Sequence, residues 1–286
     1  PLTAYLSTTH LQKKMTQARH TGTMVQPQQH SIHEHLKEAS SFIGNYAAIL
    51  YASGATTIRI EKNILRMAGE WRMHAEFSIL PTDIIISLWS ENKEHSYSTI
   101  VRIPEGAINY RTVTYLSCLS RRTAQKHLSI DDARCIMQRI TGFKRLDSRA
   151  VLFLVGAANA SFCRLFGGDP VSMAIVFVAT VSGFFIKQRL TEKKWDYRMV
   201  SLVSACLAAI LSSSGFVFGW GETPETALAT SVLFLVPGIP FSNAVSDLIH
   251  GRYICSLSRF CQAMMITVSL SLGLCLAFLI LNIKFY

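Results

Sequence analysis

Five long apolar runs fill the second half of the chain and constrain its fold more than any other feature. They cover residues 149–166, 170–186, 199–220, 226–249 and 257–281. A helix that crosses a bilayer needs about 20 mostly apolar residues, and each run is close to that length. Charged residues make up only 16% of the chain, and most of them precede the first run. We therefore expect an α-helical membrane protein with five transmembrane helices in residues 149–286.

The charges between these runs predict the orientation. The segment KQRLTEKKWDYR, between the second and third runs, holds five Lys and Arg residues, and Arg252 and Arg259 lie on either side of the start of the fifth run. The other two loops hold none. Cytoplasmic loops carry an excess of Lys and Arg, so we expect a cytoplasmic N-terminus and an outside C-terminus. The same rule accounts for the net charge of +10, and no nucleic-acid-binding signature accompanies it.

The first half has patterns typical of a small cytoplasmic α+β domain at residues 31–148. Residues 1–30 are polar and lack an apolar core, so we expect a disordered tail there and not a signal peptide. Apolar spacing predicts four helices, at 32–53, 56–68 and 109–125 and from Ser129 onward, and strands at 74–80, 84–89 and 96–103. Gly54 is placed to end the first helix.

No recognisable chemistry accompanies this domain. Neither a nucleophile–base set nor a phosphate-binding loop occurs, so we expect no catalytic residue and no cofactor. The seven cysteines form no CxxC pair, and the closely spaced His33 and His35 lack the spacing of a zinc motif, so we expect no metal site. Without a nucleotide-binding motif, any transport would draw on the proton gradient.

The fourth apolar run contains the motif LVPGIP, in which Pro237, Gly238 and Pro240 interrupt the helical pattern. Proline cannot donate a backbone hydrogen bond, and freed backbone groups are costly in lipid unless they face protein or water. Transporters use such broken helices to present a half-helix N-terminus to an anionic group. The alternative is a kink that serves only helix packing.

Polar residues accompany the break. Asn243 and Asp247 are four residues apart and share one helix face, and Asn159 in the first run adds a second buried amide. We hypothesise that the break and Asn243 bind a substrate carboxylate, while Asp247 carries a proton or binds an ammonium group. Arg164 and Arg252 are candidate counter-charges. The alternative is that Asp247 faces cytoplasmic water and simply pairs with Arg252.

Several segments together carry a resemblance to a known family. They are SGATTIRIE at 53–61, ILPTDIIISL at 79–88, LSIDDA at 128–133, NASFCRLFGGDPVSMA at 159–174 and TSVLFLVPGIPFSNAVSDLIHGR at 230–252. With this order of domains, the chain resembles the threonine/serine exporter family. No second set of apolar runs follows Tyr286, so it is most similar to the family's split, two-component branch, to which a bacterial succinate exporter belongs.

The resemblance implies a function and partners. We expect a subunit of a secondary active exporter of small carboxylates, such as a succinate-like dicarboxylate, or of threonine and serine, in the bacterial inner membrane. It implies a small second membrane subunit and assembly into an oligomer, and it marks Gly54, Arg59 and Glu61 as a motif of the cytoplasmic domain. The alternative function is that of a membrane-anchored ligand sensor or regulatory subunit.

Overall fold

The computed structural model describes residues 32–143 and 146–281. The predicted tail at 1–30 lies outside these residues. The chain divides into two compact units, each with its own core. Within the described residues, the first unit runs to Gly142 and also includes His250–Cys255, whereas the second comprises Phe143–Ile249 and the chain from Ser256 onward.

The first unit is an α+β fold, and the predicted helices and strands are present. Its four helices are α1 at 32–52, α2 at Thr57–Glu70, α3 at Tyr110–Lys126 and α4 at Ile130–Thr141. Its strands are β1 at His74–Ile79, β2 at Asp83–Trp89 and β3 at Ser96–Arg102. They form one antiparallel sheet in the order β1-β2-β3.

Local signals in the sequence explain where these helices begin and end. Gly54 adopts a φ of +93°, a conformation that side chains rarely tolerate, and the chain turns there after α1. The Asn109 side chain accepts the Thr112 backbone N–H at the start of α3. Ser129 caps α4 by accepting the N–H of Asp132. Both caps pair a donor that the first helical turn cannot satisfy internally.

The core of the first unit lies between the sheet and its helices. Alternate residues of β2, namely Ile84, Ile86 and Leu88, are fully buried there. Tyr46 of α1 is also fully buried, and its hydroxyl donates to the Leu116 carbonyl of α3 over 2.9 Å. Burial raises the pKa of Tyr46 far above its usual range. The hydroxyl therefore stays protonated and keeps its role as a donor.

Replacement of Tyr46 by Phe tests this contact. The Leu116 carbonyl would lose its side-chain donor, so we expect the free energy of unfolding of the first unit to fall by roughly 1 kcal/mol. Thermal unfolding of the purified protein in detergent measures the change. Tyr110→Phe, at an exposed position, serves as the control, and equal melting temperatures for the two variants would contradict the role of the Tyr46 hydroxyl.

The second unit is helical in the described residues. Its helices are α5 at Ser148–Leu165, α6 at Pro170–Glu192, α7 at Tyr197–Ser212, α8 at Ser214–Phe218, α9 at Pro224–Ser231, α10 at Gly238–Ile249 and α11 at Tyr253–Leu281. A 3₁₀ turn at Leu233–Leu235 follows α9. The helical class and the apolar character agree with the sequence prediction.

Three or four helical stretches of the described residues are long and apolar enough to cross a membrane. Three are long and apolar enough by themselves: α6, α11 and the stretch Tyr197–Phe218 that joins α7 to α8. The pair Pro224–Leu235 and Gly238–Ile249 adds a fourth if it is one bent span. A helix also forms over the first predicted run, but Arg149, Asn159 and Arg164 make α5 less apolar. Five spans remain a prediction.

Small residues let the helices of the second unit approach closely. A Cβ atom added to Gly273 of α11 would lie 2.5 Å from the Leu202 carbonyl oxygen of α7. One added to Gly156 of α5 would lie 2.6 Å from the Val181 side chain of α6. Such contacts are typical of helix pairs in membranes. The GxxxG pair Gly215 and Gly219 is different, because α8 ends at Phe218 and Gly219 has a φ of +64°.

The Gly273 contact leads to a stability prediction. In Gly273→Ala the new methyl group collides with backbone, so α7 and α11 must move apart, and overpacking of this kind costs about 1–3 kcal/mol. We expect a lower melting temperature in detergent. Gly69→Ala is the matched control, because a Cβ atom there meets nothing within 4 Å. An unchanged melting temperature for Gly273→Ala would contradict the close approach.

Candidate functional site

The predicted break in the fourth apolar run is confirmed. The segment 232–237, called the break from here on, separates α9 from α10, and the helices on its two sides are bent by 62°. Within it the backbone forms tight turns, with Leu235 N–H donating to the Val232 carbonyl and Val236 N–H to the Leu233 carbonyl. Pro237 has no N–H and cannot continue either helix. The chain restarts as α10 at Gly238.

Two sequence features make this restart possible. Pro240 lies in the first turn of α10, where a backbone N–H would have no partner within the helix. Gly238 is exposed, and a Cβ atom added to it would meet nothing within 4 Å. The N-terminus of α10 therefore borders open space, and its backbone donors carry the positive end of the helix dipole.

Asn159 of α5 forms a hydrogen bond to α9, the helix that precedes the break. Its side-chain amide donates to the Thr180 hydroxyl of α6 over 3.0 Å and to the Thr230 carbonyl of α9 over 3.4 Å. All three residues are buried. The Thr230 carbonyl belongs to the last turn of α9, where intrahelical donors run out. Asn159 is therefore a buried amide, as predicted, and it supplies one donor that the interrupted helix needs.

The predicted polar face of α10 is buried and contains an ion pair. Asn243 and Asp247 are both buried. An Arg259 Nη1 atom of α11 lies 3.2 Å from Oδ2 of Asp247, with side-chain exposures of 8% and 0%. One turn earlier, the Ser256 hydroxyl donates to the Ala244 carbonyl over 2.8 Å. The start of α11 thus presents a hydroxyl and a guanidinium to α10.

Arg259, which the sequence did not single out as a counter-charge, pairs with Asp247. Arg164 is exposed and donates to the Gly168 carbonyl over 3.2 Å. Arg252 pairs with Glu61 over 2.6 Å. The alternative in which Asp247 faces water is wrong, because its side chain is completely buried. The roles of Arg164 and Arg252 as counter-charges stay predictions. The sequence did not indicate the pairing with Arg259, because spacing along the chain does not show which side chains of α11 meet α10.

The three residues of the motif predicted in the first unit, Gly54, Arg59 and Glu61, lie in three different environments. Gly54 ends α1, and Arg59 is exposed in the first turn of α2. Glu61 pairs with Arg252, whose segment His250–Cys255 belongs to the same unit. The side chains of this pair are 26% and 44% exposed, so water screens it and it contributes at most about 1 kcal/mol.

A second polar cluster forms around Asp169, just before α6. The Asp169 carboxylate accepts the Val171 N–H as a helix cap and the Thr223 hydroxyl over 2.7 Å. Hydrogen bonds from Ser172 and Thr223 hold the pKa of Asp169 well below its usual range. Nothing in the sequence pattern indicates that Thr223 folds back onto this acid.

Comparison with known proteins identifies the family. A family model described as "Putative threonine/serine exporter" (ThrE) matches residues 41–281. The chain belongs to this exporter family. The match covers both units, and together with the apolar helices it makes the chain an integral membrane protein with a transport role.

Three relatives accompany this match. The "Probable succinate transporter subunit YjjP" of Klebsiella aerogenes is 27% identical over 232 residues, which cover 81% of this chain and 89% of the relative. The protein of the same name from Escherichia coli K12 is 31% identical over 139 residues, 47% of this chain and 53% of that protein. "Pheromone-regulated membrane protein 10" of Saccharomyces cerevisiae is 22% identical over 245 residues, 82% of this chain but 31% of the yeast protein. No solved structure matches the chain.

The buried ion pair leads to a stability prediction. Asp247→Asn or Arg259→Gln alone leaves one buried charge without its counter-charge, and we expect a loss of about 3–5 kcal/mol. The double variant removes both charges, so it should lose clearly less than the sum of the two single losses. Thermal unfolding of purified single and double variants measures this coupling. Additive losses would show that the two charges do not stabilise each other.

Proposed function

We propose that this chain is one subunit of a secondary active exporter in the bacterial inner membrane. Its substrates are small carboxylates, with a succinate-like dicarboxylate or threonine and serine as the two classes. The family supports export as the activity, and the names of the two bacterial relatives support the dicarboxylate. The observation that carries the proposal is the buried Asp247–Arg259 pair on the helix that follows the break.

The chemistry of this pair suits carboxylate transport. A guanidinium group binds carboxylates through parallel hydrogen bonds. A substrate carboxylate that reaches Arg259 displaces Asp247, whose own charge then needs compensation. The ammonium group of an amino acid provides it directly, so a zwitterion replaces both partners of the ion pair. A dicarboxylate provides none, so Asp247 must take up a proton for the dicarboxylate to bind.

The other proposed residues assist when a substrate carboxylate replaces Asp247 at Arg259. Asn243 lies one turn before Asp247 on the same buried face and offers an amide to the substrate. Pro237, Gly238 and Pro240 interrupt the span so that α10 restarts at Gly238, and the positive end of the α10 dipole attracts a carboxylate. In this arrangement Asn159 has a positioning role, because it holds the end of α9 in place.

The topology of the proposed exporter follows from the charge distribution. Five spans, with α5 as the first, place the N-terminus in the cytoplasm and the C-terminus outside. Transporters are commonly built from two repeats that enclose a site between them. We propose that a small second membrane subunit supplies the complementary half, and that the complete exporter is an oligomer.

Efflux measurements test the proposed function. Cells that express this chain with and without a candidate small subunit are loaded with labelled succinate or labelled threonine. We expect efflux only when both subunits are present, and the faster label identifies the substrate class. Absence of efflux of either label, with both subunits present in the membrane, would contradict the proposal.

The ion pair predicts the effect of Asp247→Asn on transport. The amide can neither accept a proton nor bind an ammonium group, so we expect efflux to fall at least about tenfold. Glu225→Gln, at an exposed position at the start of α9, is the control and should leave efflux unchanged. Full activity of Asp247→Asn, at equal amounts in the membrane, would exclude Asp247 from the mechanism.

A second candidate function, that of a ligand sensor, is favoured by one observation in the first unit. A cavity of about 510 Å³ lies between α2 and the sheet, and most of its lining is apolar. Leu65, Met73 and Trp89 line it together with the charged residues Glu76 and Lys93. Intact membrane assembly and ligand binding without any efflux would favour this function over transport.

A further inference from the structure

We infer that Lys187 of α6 binds a carboxylate group of the substrate beside the break. The inference rests on the proposed function and deepens it, because it adds a cationic group to the substrate site. In the sequence, Lys187 is the first charge of a basic loop, where it helps to predict orientation. In the structure it lies within α6, which continues to Glu192.

One face of α6 runs along the broken span. Thr180, Gly183, Phe184 and Lys187 are spaced three or four residues apart and therefore share this face. Thr180 accepts the Asn159 amide. A Cβ atom added to Gly183 would lie 3.1 Å from the ring of Phe234, so the missing side chain lets the broken span come close.

Aromatic contacts join this face to the break. The ring of Phe234, in the 3₁₀ turn, packs edge-on against the ring of Phe184, with centroids 6.0 Å apart. The Lys187 amine lies 5.7 Å from the Phe184 centroid and 5.9 Å from the Phe234 centroid. The two rings therefore hold the cation next to the break through cation–π attraction.

This environment leaves Lys187 able to bind an anion. Among the ion pairs of residues 32–143 and 146–281, none involves the Lys187 amine. An ammonium group has three N–H donors, and a ring face stabilises its charge without supplying a carboxylate oxygen. A half-buried ammonium beside the break, restrained by two rings and without a carboxylate partner in the described residues, attracts the carboxylate of a small solute.

The alternative is that Lys187 only extends along the helix to reach water or lipid headgroups, as many lysines near helix ends do. Lys193 provides the comparison, because it is exposed at the end of α6. The two explanations differ in ligand dependence. A substrate-binding lysine changes substrate affinity, whereas an anchoring lysine changes only insertion, stability or the response to anionic lipid.

Binding measurements on the complete exporter test the inference. The chain is purified with its second subunit in nanodiscs of zwitterionic lipid, and succinate and threonine are titrated by calorimetry. We expect Lys187→Gln to weaken binding of the carboxylate that the wild type binds by at least tenfold, Lys187→Arg to retain most of it, and Lys193→Gln to match the wild type.

This experiment can fail independently of the proposed function, because it measures substrate binding and not transport. Equal affinities for wild type and Lys187→Gln would overturn the inference, even if efflux is confirmed. Absence of carboxylate binding by the wild type would overturn it as well. A second series in nanodiscs with added phosphatidylglycerol identifies the lipid alternative: a Lys187→Gln effect seen only with this anionic lipid also overturns the inference. If carboxylate binding depends on Lys187 but no efflux is observed, the proposed export is contradicted and the inference about Lys187 stands.

Discussion

The second unit depends on one constraint: polar groups withdrawn from water must find partners inside the protein. The break at 232–237 frees backbone groups in the middle of an apolar run, and Asn159 supplies one of the missing donors to the Thr230 carbonyl. The hydroxyls of Ser212 and Ser231 pair over 3.0 Å in the same part of the unit. A bent span of this kind persists only because neighbouring helices carry these polar side chains.

Charge inside this unit is governed by the same constraint. Asp247 is completely buried, and Arg259 compensates its charge at 3.2 Å. A buried pair of this kind adds little net stability, since both ions lose their hydration, but it strongly disfavours the loss of either partner. Such an arrangement responds to any solute that substitutes for one of the two groups. That response is the physical basis of the transport role proposed for Asp247.

Much of the fold was predictable from local patterns. Helix periodicity, Gly54 and the Ser129 cap located the helices of the first unit, and alternation located its three strands. Pro237 and Gly238 located the bend, because proline and glycine act through the backbone wherever they occur. Asn243 and Asp247 were placed on one face by spacing alone. These inferences succeeded because each depends on residues within one or two helical turns.

The sequence alone determined the membrane class, the order of the elements, the position of the break and the residues that share a face with Asp247. Only the tertiary structure decided which residues meet across helices: Arg259 with Asp247, Glu61 with Arg252, and Lys187 with Phe234. The physical reason is that spacing specifies a face of a helix, whereas its partner is selected by packing. Shape, close approach at glycines and the pairing of buried charges act between segments far apart in the chain.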